Sequence, residues 1–151
     1  MKKFVIIAAV MLIGAGAALA ASINVPFFLD TTAAGGGFPP TSGTMFFIGL
    51  KNTTGASVTV TVEYRDDTGT VTTGAGSVTL TLAGFESVSF RPSIADPGVD
   101  TPNAAGLARS TAQAGGATFT WTGGTNDIQG RGVQISGTGA GSFSFLLPPG
   151  I

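Results

Sequence analysis

Residues 44–67 read TMFFIGLKNTTGASVTVTVEYRDD, and the fold follows from this stretch. Its first part, 44–52, is dense in apolar residues. Its second part, 58–65, alternates strictly: Val58, Val60, Val62 and Tyr64 fall on one parity, Thr59, Thr61, Glu63 and Arg65 on the other. Strand side chains alternate with period two, so one face meets a core and the other meets water. Between them, Thr53-Thr54-Gly55-Ala56-Ser57 supplies the glycine and hydroxyl residues that chain reversals favour. The stretch therefore predicts a β-hairpin.

Composition extends this reading to the whole chain. Of 151 residues only 10% are charged, against roughly 25% in average soluble proteins. Gly numbers 24. Thr, Val and Phe favour pleated surfaces and Gly marks turns, which argues for strands over helices. A hydrophobic fraction of 43% gives enough apolar surface to offset chain entropy, which argues against disorder. Cys and His are both absent, so disulfides, thiolate metal sites, cysteine nucleophiles and imidazole bases are excluded.

Residues 1–20 read as a cleavable secretion signal. Lys2 and Lys3 form a basic start, residues 4–19 are uncharged and apolar, and Ala18-Leu19-Ala20 is a small-x-small cleavage site. The apolar run falls short of the roughly 20 residues that span a membrane, so no stable membrane insertion is expected after cleavage. Without Lys2 and Lys3, the seven Lys and Arg fall to five against eight acids, a net charge of −3. With no basic patch, nucleic acid is not an expected partner. The expected location is secreted, periplasmic or cell-surface. Residues 21–151 are expected to form one domain.

Further strands are expected along that domain. Residues 22–29 alternate Ile23, Val25 and Phe27 inward, and Pro26 marks an edge strand. Residues 31–42, TTAAGGGFPPTS, are loop, with Phe38 pinning it to the sandwich. Short strands are expected at 70–73, at 77–82 with Val78, Leu80 and Leu82 inward, and at 85–91, ended by Pro92. Residues 93–116 are a long connection, with helical turns expected within 103–112. Residues 117–122 alternate Phe119 and Trp121 inward. Residues 128–136 and 142–147 form a closing hairpin, in which Val133 and Ile135 match Phe143, Phe145 and Leu147. One aromatic layer, Phe27, Phe46 or Phe47, Tyr64, Phe90, Phe119, Trp121, Phe143 and Phe145, is expected between two sheets, each ring worth on the order of 2–3 kcal/mol when buried.

The run FIGLKNTTGASVTVTVEYRDDTG at 47–69, followed by SFRP at 89–92, resembles small exported bacterial proteins of the immunoglobulin-like sandwich type. The matching residues are Leu50, Lys51, Asn52 and Thr53, then Val60, Thr61, Val62, Tyr64, Asp66 and Gly69. The resemblance implies an all-β, antiparallel immunoglobulin-like β-sandwich of about seven to nine strands and transfers no catalytic residue.

Candidate chemistry is sparse. A Ser-Lys pair would rest on Lys51, which reads more simply as a solvated lysine. The acids Asp30, Glu63, Asp66, Asp67, Glu86, Asp96, Asp100 and Asp127 sit mostly in turns, and Glu63 is placed to pair with Arg65 or a cross-strand Arg. A hydrolase would need two of them converging in a cleft. Calcium would fall at Asp66 and Asp67 or at Asp96 and Asp100, against a bland reading as turn aspartates. Sugar stacking would need Trp121 or Tyr64 exposed, yet both carry inward parity. Asn52-Thr53-Thr54 matches a glycosylation sequon and reads as chance. The 22–29 strand either folds onto its own domain, the preferred reading, or pairs with a neighbour's sheet edge. No catalytic, cofactor-binding or metal-binding residue is assigned. The expected function is an exported, non-catalytic β-sandwich with a structural, adhesive or extracellular-matrix role, with self-association by strand-edge pairing left as an open option. The alternative is a carbohydrate-binding accessory module. Expected partners are a second copy, other cell-surface proteins or polysaccharide.

Overall fold

A computed structural model describes residues 20–137 and 141–150. The signal expected at 1–20 lies, apart from Ala20, outside the described residues. The elements are β1 (Ala20–Leu29), β2 (Thr44–Asn52), β3 (Val58–Arg65), β4 (Thr79–Leu82), β5 (Ser87–Phe90), a 3-10 turn at Pro102–Ala104, β6 (Ala114–Thr122), β7 (Ile128–Ser136), β8 (Ser142–Leu147) and β9 (Pro149–Gly150). Every pairing between these strands is antiparallel among the described residues. One sheet has the order β4-β3-β6-β1-β9 and the other β5-β2-β7-β8. The protein is an all-β sandwich with a single core between these sheets.

The quoted stretch forms the two strands its pattern predicts but not the hairpin expected of them, since β2 and β3 do not pair. β3 buries Val58, Val60, Val62 and Tyr64 and exposes the residues between them. β2 and β3 nonetheless enter opposite sheets, because the turn between them carries the chain across the core. Asn52 fixes that crossing. It is fully buried, and its Nδ2 donates to Ala56 O (2.7 Å), Leu82 O (3.2 Å) and Ala83 O (2.9 Å). Its Oδ1 accepts from Thr54 N and Thr54 Oγ1. The sequon asparagine is thus a structural residue with no amide free for a glycan.

The aromatic layer forms with one change of parity, Phe28 for Phe27, and without Phe143, which keeps the parity of Phe145 but lies exposed. Phe28, Phe46, Tyr64, Phe90, Phe119 and Trp121 are buried and Phe145 is half-buried, while Phe27 and Phe143 are exposed. Phe28 packs on Phe46 at 6.3 Å and edge-on against Tyr64 at 6.2 Å, and Phe90 packs on Phe119 at 6.1 Å. Phe27 was expected inward. A bulge corrects this: Val25 pairs with Ala117 but Phe28 pairs with Gly115, so β1 carries one extra residue around Pro26. An added residue in a bulged strand reverses which side chains point inward.

The closing hairpin also corrects its expected pairing. Phe145 lies opposite Gly132 and Leu147 opposite Gly130, whereas Val133 and Ile135 lie opposite Ser144 and Ser142. The core side of β7 is glycine, and the space is filled from β8: a Cβ at Gly132 would come within 2.6 Å of the Phe145 ring. Val133 and Ile135 therefore face out. Val78 is exposed rather than inward, since β4 begins at Thr79. The strand expected at 70–73 is reduced to bridges at Val71 and Thr73. The helical turns expected within 103–112 are not formed; only Pro102–Ala104 coils. Backbone groups there bond across the molecule instead, Ala108 N to Ser77 O, Ser110 N to Pro92 O and Thr111 N to Thr72 O.

The edge position expected for β1 is covered in part. β9 pairs with Ser22 and Ile23, so the chain leaves the second sheet after Leu147, turns at Pro148 and joins the first. The 22–29 strand folds onto its own domain, through β6.

Candidate functional site

The chain concentrates its unusual chemistry at one end of the sandwich, where residues 31–43 and 93–101 meet. Arg91, one residue past β5, is fully buried. Its Nη2 bonds Asp30 Oδ1 and Thr32 O, its Nε donates to Asp30 Oδ1 (3.1 Å), and its Nη1 donates to Asp96 Oδ2 (3.1 Å) and Ala33 O (3.3 Å). Ser93 Oγ donates to Asp30 Oδ2 at 2.7 Å. A buried guanidinium is tolerated when its donors are all met by carboxylates and carbonyls. The partners come from the end of β1 and from both loops, so one side chain fixes three segments.

A second cluster sits behind the first. Arg109 Nη2 donates to Asp100 Oδ2 (3.0 Å) and Ala104 O (3.0 Å), and Nη1 to Leu107 O (2.8 Å). Its guanidinium stands 5.1 Å over the Phe90 ring. Asp100 Oδ1 also accepts from Arg91 N, and Asp96 N donates to Asp100 Oδ2. Nearby, Arg109 Nε and the Tyr64 hydroxyl are buried without a partner. Burial pushes the Tyr64 hydroxyl well above its ordinary value, with the Arg109 charge opposing and the Asp100 charge adding.

Asp96 and Asp100 are therefore occupied by arginine and backbone N–H groups. Asp66 caps its own turn, accepting on Oδ1 from Thr68 N, Thr68 Oγ1 and Thr70 N. The Thr68 hydroxyl, then the Thr70 amide, hold its carboxyl below the usual range. Glu63 pairs with Arg65 on the same strand at 2.8 Å. Asp127 accepts from Gly124 N and Glu86 from Ala83 N, each closing a turn. No three acids among the described residues stand close enough to share a metal ion. Lys51 is exposed, its Nζ donating to Phe85 O at 3.3 Å. Trp121 is 3% exposed and its Nε1 donates to Gly124 O at 3.0 Å, and Tyr64 is fully buried.

The loops held by Arg91 form the walls of a groove. Its floor is the outer side of the second sheet, Phe47 and Val133 paired in register with Ile135 beyond and Ser89 at the edge. Phe38 forms one wall, edge-on to Phe47 at 6.1 Å, and Gly98 and Val99 form the other. The groove holds about 430 Å³. Phe38 rests on the sandwich through Phe47, as expected from the sequence, but stays 61% exposed. The floor was not foreseen. The signal for it was the glycine at alternate positions 130 and 132, which leaves Val133 and Ile135 on the outer parity.

The outer side of the first sheet is different in kind. Thr79, Thr61, Thr120 and Ser22 form one cross-strand row, and Thr81 and Thr59 another, their hydroxyls 3.0 Å apart. Its only ion pair among the described residues is Glu63–Arg65.

β8 is the open edge of the second sheet. Its sequence SFSFLL carries no charge, and it leaves Phe143 55% and Leu146 81% exposed. Compared with protein-family models, with curated protein sequences and with solved structures, the chain gives no match.

Proposed function

We propose that the chain is an exported, non-catalytic β-sandwich with a structural, adhesive or extracellular-matrix role, which self-associates through β8. The observation that carries this reading is the edge itself. Open edges are usually blunted by Lys, Pro or a bulge, and β8 has none of these within its six residues. The opposite edge of the same sheet, β5, has only four residues. In the first sheet β1 is bulged at Pro26 and capped by β9. Two β8 strands pairing antiparallel about a twofold axis would join the second sheets of two copies and cover Phe143 and Leu146. Such a contact buries less than the roughly 1,600 Å² of a standard stable complex, so association is weak and rises with concentration.

The same proposal groups the fold with immunoglobulin-like sandwiches in the broad sense of two facing antiparallel sheets. The entry of β1 and β2 into different sheets sets its strand order apart from the constant-domain pattern. The carbohydrate-binding alternative draws no support from Trp121 or Tyr64, since neither ring is available for stacking.

Sedimentation of residues 21–151 from micromolar to near-millimolar concentration tests the proposal. A reversible rise in mass is expected, and Ser144→Lys with Leu146→Lys should remain monomeric with an unchanged melting temperature. A strict monomer throughout, or unchanged association of the double variant, would sink it.

A further inference from the structure

The outer side of the second sheet runs on past the groove floored by Phe47 and Val133. Gly49 lies in register between Ser89 on β5 and Arg131 on β7, and Lys51 follows two positions on, between Ser87 and Gln129. Gly49, Lys51, Ser87, Gln129 and Arg131 line a second trough of about 390 Å³ on the same outer side of the sheet, bordered by Leu146. Gly49 lines the second trough and pairs with Ser89, which lines the first. A Cβ there would make only ordinary contacts, 3.8 Å from Arg131 O and Val88 O, so the glycine relieves no clash and keeps the surface low between the two troughs.

The two halves differ sharply in character. The first half is apolar: Phe38, Phe47, Val99, Val133 and Ile135. The second is cationic. Among the described residues, Arg65, Arg91 and Arg109 each hold a carboxylate, whereas Lys51 and Arg131 hold none. Lys51 Nζ reaches Phe85 O and Ser87 Oγ, and Arg131 Nη2 reaches Ser144 Oγ. The neighbouring acids face elsewhere, Glu86 toward Ala83 N and Asn103 Nδ2, and Asp127 toward Gly124 N. On a chain with more acids than bases, the two unneutralised cations sit together at the end of an apolar trough.

We propose that these two neighbouring troughs together bind a single-chain anionic amphiphile of the medium-chain fatty-acid class. The acyl chain lies along Phe47 and Val133 under Phe38, passes over Gly49, and presents its carboxylate to Lys51 and Arg131. From the level of Ile135, in register with the buried Met45, to Lys51 the strand advances about 20 Å, at roughly 3.4 Å per residue, which suits an extended chain of medium length. Pockets of this size with convergent polar groups at one end fix both the orientation and the class of ligand. Arg91 keeps the site preformed by tying the loops of both walls to the sandwich.

The test is displacement of a dansyl-labelled undecanoate from residues 21–151 by dodecanoate and by dodecanol, below their aggregation concentrations. Dodecanoate should compete at least about tenfold better than dodecanol, the equivalent of ~1.4 kcal/mol. Gly49→Val, which raises the surface between the two troughs without crowding the backbone, should abolish binding of both. Lys51→Gln with Arg131→Gln should weaken dodecanoate about tenfold and leave dodecanol unchanged. No displacement by dodecanoate, equal competition by the alcohol, or an unaffected double variant would overturn the proposal. So would capture on phosphatidylglycerol vesicles without binding of monomeric dodecanoate, which would identify a bilayer as the partner.

Discussion

Arg91 and Asp30 are 61 positions apart in the chain and meet with neither side chain exposed to water. Among the described residues the pair is the only ion pair that joins the end of β1 to the end of β5, and Asp96 and two loop carbonyls complete it. Arg91→Met should therefore cost about 3–5 kcal/mol, because two buried carboxylates lose their counter-charge. Adding Asp30→Asn should recover part of that loss. Urea unfolding of the three proteins checks both statements, and a single variant within 1 kcal/mol of the parent, roughly the scale of a surface change, would refute the first.

Tyr64 offers a gain. Its hydroxyl is buried without a partner, and such a group costs about 1–3 kcal/mol. Tyr64→Phe should stabilise the protein by about 1 kcal/mol at neutral pH. The pH dependence has a definite sign. The unfolded hydroxyl ionises near its ordinary 10.0, while burial raises the folded one well above it. The parent's stability is full below pH 10.0 and falls as pH rises beyond it. Tyr64→Phe should lack this alkaline loss, which thermal unfolding across that range would show.

Asp66 acts at the other end of the scale. Its folded carboxyl lies below the ordinary 3.8 because Thr68 and Thr70 donate to it. Its contribution is present above 3.8 and is lost as pH falls through the lower folded value. Asp66→Asn should be less stable than the parent at neutral pH, and the gap should close in acid. A gap that stays constant down to the acid limit of folding would exclude this role.

Trp121 reports on the core. Its emission should be blue-shifted, poorly quenched by acrylamide and unmoved by soluble polysaccharides, since the ring lies between the sheets and its N–H is held by Gly124. A red, readily quenched spectrum would contradict the packing described.

Much of this architecture was written locally. Residues 44–52, 58–65, 128–136 and 142–147 are strands with the bounds their alternation predicts. Period-two patterning failed where the backbone does something a pattern does not encode. Pro26 introduces a bulge and turns Phe27 out in favour of Phe28. Gly115 and Gly116 read as loop, yet β6 begins at Ala114, because bare backbone is what fits against Arg65 O and Val25 O. The groove was hidden for a related reason. Val133 and Ile135 look like core residues until the register places them opposite Ser144 and Ser142. The Arg91 network depends on contacts across 61 positions, and no short-range signal carries them.

The threonine rows of the first sheet have an electrostatic consequence. Among the described strand residues of that face the only charges are Glu63 and Arg65, which neutralise each other, so little is left there for counterions to screen. An adhesive contact made there would keep its strength from dilute medium to brine. An anion held by Lys51 and Arg131 on the opposite side would be released as ionic strength rises past the point where the Debye length falls below about 8–10 Å. One small sandwich would thus carry a salt-indifferent side and a salt-sensitive one, back to back.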